Sequence, residues 1–245
     1  EDTSPGKTDD RGKLKILGEQ FRKCEPEQRT AVITKILEIG GSEATDLLLG
    51  ELALTEVGEE YWFAEHILEA LGKIGDERSL NVLNDRLDKE CGGVVQFYSE
   101  RNPNSDYGPS YRDGDTGFLC YDTASAIAAI GGSEAKEILL KYVMRYEPWW
   151  SSYVAVDYLE ELGWKPEKDE EKIACHIAKH DWNGCKEMGD IATRKAIESI
   201  VYATYYFEKT VCVLGEIVGA INSFGKERVI SIIKEEEFGV GLYFG

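Results

Sequence analysis

One short turn recurs along this chain and constrains its fold more than any other feature. Three segments align by eye: ITKILEIGGSEATDLLLGEL from Ile33, LEALGKIGDERSLNVLNDRL from Leu68, and ASAIAAIGGSEAKEILLKYV from Ala124. Each runs from an apolar helical pattern through Ile-Gly-Gly or Ile-Gly-Asp into a second apolar helical pattern, and two share the string IGGSEA. A helix commonly ends on a left-handed residue just past its last turn, and glycine adopts that conformation without a Cβ penalty. Gly40, Gly75 and Gly131 suit that position. Ser42, Asp76 and Ser133 then suit the N-cap of the next helix, where a side-chain oxygen accepts from an orphan backbone N–H. Glu43, Glu77 and Glu134 follow in the first turn, at the positive end of the helix dipole. The turn therefore specifies pairs of helices.

The spacing extends the pattern. Gly40 and Gly75 are 35 residues apart, and Gly75 and Gly131 are 56 apart, which is one such period plus about 21 residues. Weaker copies follow at Gly163, Gly189 and Gly225, with steps of 32, 26 and 36. A two-helix period in the thirties is the signature of a solenoid, because one pair cannot bury its own apolar face. The expected fold is all-α, an α-α superhelix of antiparallel helix pairs with one long irregular insertion. Helices are expected over 13–23, 27–38, 43–54, 59–73, 77–89, 118–130, 134–146, 149–162, 168–179, 182–188, 191–206, 208–222 and 226–236. Residues 1–12 read as a disordered lead, 13–237 as the repeat domain with an insertion at 91–116, and 238–245 as an apolar, glycine-rich tail.

The run EALGKIGDERSLNVLNDRL resembles the HEAT-like repeats named after phycobilisome lyases. LEELGWKPEKDEEKIACHIAKHDWNGCKEMGD resembles a stretch of the same group, in which an LGW turn precedes an acidic helix and an IAK-x-DW run. The resemblance spans Ile33 to Ile233. It implies the helical-repeat fold and leaves function open, since such arrays serve unrelated roles. The group's name implies one alternative activity, a bilin lyase that binds a linear tetrapyrrole and hands it to an acceptor cysteine.

Charge narrows the partners. The chain carries 46 acidic and 28 basic residues, a net of −18. Binding to nucleic acid rests on a basic stripe that neutralises phosphates; the clusters Lys7 to Lys15 and Lys226 to Arg228 are short and interrupted by carboxylates. Anionic membrane surfaces are disfavoured on the same ground, and a basic protein partner suits the field. The six cysteines are scattered without a CxxC, which points to reduced thiols and a cytoplasmic setting. No window reaches the apolar length needed to span a bilayer.

Chemistry-bearing candidates are few. The insertion is rich in Asn, Asp, Ser, Tyr and Gly, and loops of that length are usually functional or disordered. Its aromatics Phe97, Tyr98, Tyr107 and Tyr111 suggest an ordered loop against a partner. Asp113 and Asp115 in RDGDTG have the look of a calcium loop, but further oxygen ligands and a closing glutamate are missing, and an Asp-Gly turn explains the string. Trp149 and Trp150 are adjacent and cannot both face a core, so one is a candidate interface anchor. CHIAKHDWNGC places His176 and His180 on one helix face, bracketed by Cys175 and Cys185. These four are a weak alternative for zinc, whose usual ligand spacings differ; the working expectation is no metal and no cofactor. A di-iron site on HEAT repeats needs His-Glu pairs, whereas the chain has only the reversed Glu65-His66. GxSxG and GxGxxG are missing too. The expectation is thus a non-catalytic protein-interaction scaffold that binds through an acidic, aromatic-containing inner face and the 91–116 loop, with Tyr107, Tyr111, Asp113, Trp149 and Trp150 as partner-binding residues.

Overall fold

The computed structural model describes residues 7–54, 61–99, 113–145, 150–206 and 211–235. Among them the secondary structure is helical, with no strand. Two compact units divide the chain, one of residues 1–94 and 102–139 and the other of 95–101 and 140–245.

The first unit contains α1 (Lys7–Lys23), α2 (Pro26–Ile39), α3 (Gly41–Leu52), α4 (Tyr61–Ile74), most of α5 (Leu80–Ser99), α6 (Asp113–Ile130) and the start of α7 (Gly132–Val143). Apolar residues recur at helical spacing and meet inside. Ala64, Ile67, Leu68 and Leu71 of α4 are buried, as are Leu80, Leu83 and Leu87 of α5. The helices that precede the first three glycine turns pack in succession, α2 on α4 and α4 on α6. Small residues let α4 and α6 approach closely: a Cβ on Gly72 would stand 3.0 Å from Cβ of Ala129 and 3.3 Å from Cα of Ala126.

The glycine turns form as the sequence predicts. Gly40, Gly75, Gly131, Gly163, Gly189 and Gly225 all have positive φ, between 63° and 98°. At four of them the glycine N–H donates to the carbonyl four residues back, as Gly75 does to Leu71 at 3.1 Å. At Gly163 the motif is fuller, with Gly163 bonded to the Glu160 carbonyl and Trp164 to that of Leu159, the double closure that satisfies two orphan carbonyls.

The turns also touch one another. Arg78 Nη2 donates to the Ser42 carbonyl at 3.0 Å, and its Nη1 lies 3.3 Å from Asp46 Oδ1. On the other side, a Cβ built on Gly132 would stand 3.3 Å from Glu77 Oε1. The middle turn therefore reaches the turns before and after it in sequence.

Three expectations change. Ser42 and Ser133 are not N-caps. Gly41 and Gly132 also take positive φ, so α3 and α7 begin on those glycines and the serines fall inside the helices. Gly40 becomes the N-cap of α3 and has no side chain to offer. The middle turn has a single glycine, so Asp76 stays extended and caps by accepting from Arg78 N–H at 3.1 Å, as expected. Second, the 91–116 stretch is not irregular throughout. α5 continues to Ser99 and α6 starts at Asp113, because the amphipathic pattern of α5 outlasts Cys91; residues 100–112 lie outside the described residues. Third, α1 begins at Lys7, inside the expected lead, and Asp9 and Asp10 fall in its first turns, where the dipole favours them. The tail, 238–245, lies outside the described residues.

The second unit holds α8 (Trp150–Glu161), α9 (Asp169–Ala178), α10 (Trp182–Glu187), α11 (Asp190–Tyr206), α12 (Val211–Phe224) and α13 (Lys226–Glu235). Its core gathers Ile173, Ile177, Trp182, Cys185, Ala192, Ala196, Ile200 and Ala220, with Phe224 packed against them. Among the described residues no helix is long and apolar enough to cross a membrane.

Candidate functional site

The densest set of titratable side chains the sequence singled out sits where α9 turns into α10. Glu171 opens α9: its Oε2 accepts from the backbone N–H of Glu167 at 3.0 Å and of Lys168 at 3.4 Å. Those N–H groups, against the opposing effect of burial, hold its carboxyl below the usual range. The helix ends with His180 N–H bonded to the Ile177 carbonyl and Asp181 N–H bonded to the His176 carbonyl. This is the closure seen at Gly163, except that His180 occupies the left-handed position, with φ 54°. Among the described residues His180 is alone in being a non-glycine with positive φ. Its ring stacks on Trp182 at 5.5 Å between centroids, and Trp182 meets Phe224 edge-on.

Asp181 then caps α10. Its Oδ1 accepts from Gly184 N–H at 2.9 Å, and its Oδ2 accepts from His176 Nδ1–H at 2.9 Å. The Gly184 N–H first, and then His176, hold the Asp181 carboxyl below the usual range. A side chain on Gly184 would overlap both the His176 imidazole and the Asp181 carboxylate. Nearby, Lys179 Nζ donates to both carboxylate oxygens of Glu160 on α8 at 2.7 Å. Burial works against the Lys179 ammonium, but the Glu160 bond and neighbouring negative charge outweigh it and raise its pKa.

The two thiols are held protonated. Burial pushes the Cys185 thiol up to about 12. Burial also raises Cys175, against the pull of Lys179. A thiolate is the nucleophile, so both cysteines are poorly prepared for nucleophilic attack. Of Cys175, His176, His180 and Cys185, the structure joins His176 to Asp181 and lays His180 on Trp182. Among the described residues no three His, Cys, Asp or Glu side chains form a group able to hold a metal ion. The arrangement builds a turn: one carboxylate fixes a helix N-terminus with one oxygen and orients an imidazole with the other.

The remaining sequence candidates fall elsewhere. Tyr107, Tyr111 and Trp149 lie outside the described residues. Asp113 and Trp150 are the first residues of α6 and α8, and their side chains lie outside the description. Sequence reading missed Gly184, Arg78 and the Lys179–Glu160 pair. Gly184 carried a signal, a glycine three residues after an N-capping aspartate inside a short helix. The Lys179–Glu160 pair spans 19 residues and two helices, and no local pattern encodes it.

Comparison with family models, curated proteins and solved structures finds no match to this chain.

Proposed function

We propose that this chain is a non-catalytic protein-interaction scaffold, a HEAT-like solenoid whose second helices present an acidic face to a basic partner, with the 91–116 segment adding specificity. The observation that carries the reading is the contact between successive turns, in which Arg78 reaches Ser42 and Glu77 reaches Gly132. Repeats held in register at their turns present the same helix of each pair along one surface. On α3, α5 and α7 that helix carries Asp46, Asp85 and Glu137, all exposed. The net charge of −18 favours a basic partner by long-range attraction. Tyr107, Tyr111, Asp113, Trp149 and Trp150 are the aromatic and acidic contacts assigned to that partner.

The test reverses charge on the proposed face. The doubly substituted Asp85→Lys/Glu137→Lys chain and the unmodified chain are immobilised and offered the same cell extract at low and high salt. The reading expects one or more basic proteins retained by the unmodified chain, lost by the variant and released by salt. Equal retention by both chains, or no basic protein on either, would sink it.

A further inference from the structure

We propose that the groove between α1 and α2 docks an acidic amphipathic helix from a partner protein. The groove encloses about 530 Å³. Its apolar part comes from Ile16, Ala31 and Val32, and Lys23, Lys35 and Glu19 stand along it. Ile16 is 59% exposed, a large apolar side chain left in water beside a concave surface. Interaction sites characteristically combine apolar surface with a polar rim.

Charge selects the occupant. In a chain of net −18, α1 carries six cations against three carboxylates. Several cations are taken up by carboxylates, as Arg22 of the same helix is by Glu51, Lys73 by Glu69, Lys179 by Glu160 and Arg228 by Asp190. Lys23 and Lys35 make no ion pair with a described residue. Lys23 is in the last turn of α1, where the helix dipole favours a cation. Lys35 lies inside α2 and gains nothing from the dipole. Lys23 and Lys35, one on each helix of the groove, outnumber Glu19 among its lining residues, and together with Ile16, Ala31 and Val32 they complement a helix with apolar anchors one turn apart and carboxylates beside them. A helix laid in a groove between two helices is an established recognition mode. The groove is distinct from the acidic face proposed above and selects the opposite charge, so either reading can fail alone.

The test uses a fluorescein-labelled helical peptide of about four turns, with leucines along one stripe and glutamates on both flanks, and a twin carrying lysines instead. Anisotropy is followed as the full chain is added. The glutamate peptide should bind and the lysine twin should not. Lys23→Glu/Lys35→Glu should weaken the glutamate peptide by about fivefold or more, from two exposed ion pairs, and should gain affinity for the lysine twin. Ile16→Asp should weaken it as well. All three positions are surface positions, so circular dichroism should match the parent and exclude misfolding. Glutamate-peptide binding that is insensitive to the charge reversal, preference of the parent for the lysine twin, no peptide binding at all, or charge-dependent binding only to phosphatidylserine vesicles would each overturn the proposal.

Discussion

Arg78 Nη2 donates to the backbone carbonyl of Ser42 at 3.0 Å, joining residues 36 apart in sequence. The same guanidinium chelates Asp76, with Nε 3.1 Å from both carboxylate oxygens. Asp76 is in turn the N-cap of the Glu77–Ser79 turn. One side chain thus ties a local cap to the preceding glycine turn.

Replacement of Arg78 separates the two roles. Arg78→Lys keeps a charge but loses the planar fork that serves Asp76 and Ser42 together. Both Arg78→Lys and Arg78→Met should lower the melting temperature, Met more, and the gap between them should shrink at high salt as Asp46 and Asp76 are screened. Thermal melts at two ionic strengths read this directly; an unchanged melting temperature in Arg78→Met would deny the contact any weight.

Gly184 and His176 should couple. Gly184→Ala puts a methyl into space held by the imidazole, and overpacking of this kind costs ~1–3 kcal/mol. His176→Ala empties that space. The double variant should therefore lose less stability than the sum of the two single losses, a coupling of ~0.5–3 kcal/mol. Denaturant unfolding of the four chains in the cycle measures it, and additive losses would show that the two residues do not share the space.

His180 holds a left-handed conformation that costs a non-glycine residue ~1–2 kcal/mol, offset in part by its stack on Trp182. His180→Gly removes both the strain and the stack, whereas His180→Ala removes the stack and keeps the strain. Ala should be the less stable variant by about 1 kcal/mol. The reverse order in chemical denaturation would mean that the backbone at 180 is not strained.

Alkaline pH should destabilise the second unit through its thiols. Cys185 ionises near 12 in the folded chain and near its ordinary value of about 8.5 when unfolded. A raised folded pKa contributes stability below the unfolded pKa, and that stability is lost as pH climbs between the two values. Cys175 is shifted the same way. Stability should thus fall as pH rises from about 8.5 toward 12, and Cys185→Ala should flatten that slope even though its absolute stability is lower. On the acid side the sign reverses. Asp76, Glu171 and Asp181 are held below the ordinary range, so their contribution is present at neutral pH and is lost as pH falls through their folded values. Urea midpoints across pH, for the parent and Cys185→Ala, check both limbs.

Legibility in the sequence follows the range of the interaction. The six glycine turns were readable because a helix C-cap needs left-handed backbone at one residue, and glycine marks it. The helix boundaries flanking Gly40, Gly75 and Gly225 fall within a few residues of expectation for that reason. The Asp76 cap was readable on the same local grounds. Ser42 and Ser133 misled because a second glycine moves the helix start back by one residue, an alternative the serine signal does not reveal. At the α9–α10 turn, the sequence showed two histidines on one helix face and left a shared zinc as a weak alternative. The helix in fact ends between them, so His176 belongs to α9 while His180 lies past its end in the left-handed position.

By itself the sequence determined that the described residues are helical, where the glycine turns between helices fall and that the net charge is acidic, since backbone conformation at a glycine, 3.6-residue periodicity and net charge are properties of neighbouring residues or of sums. Tertiary structure alone decided that Arg78 spans from one turn to the next, that the imidazole of His176 bonds to Asp181, and that Lys23 and Lys35 line one groove with Ile16. Each of these depends on the distance between side chains far apart along the chain, and that distance is set only when the helices pack.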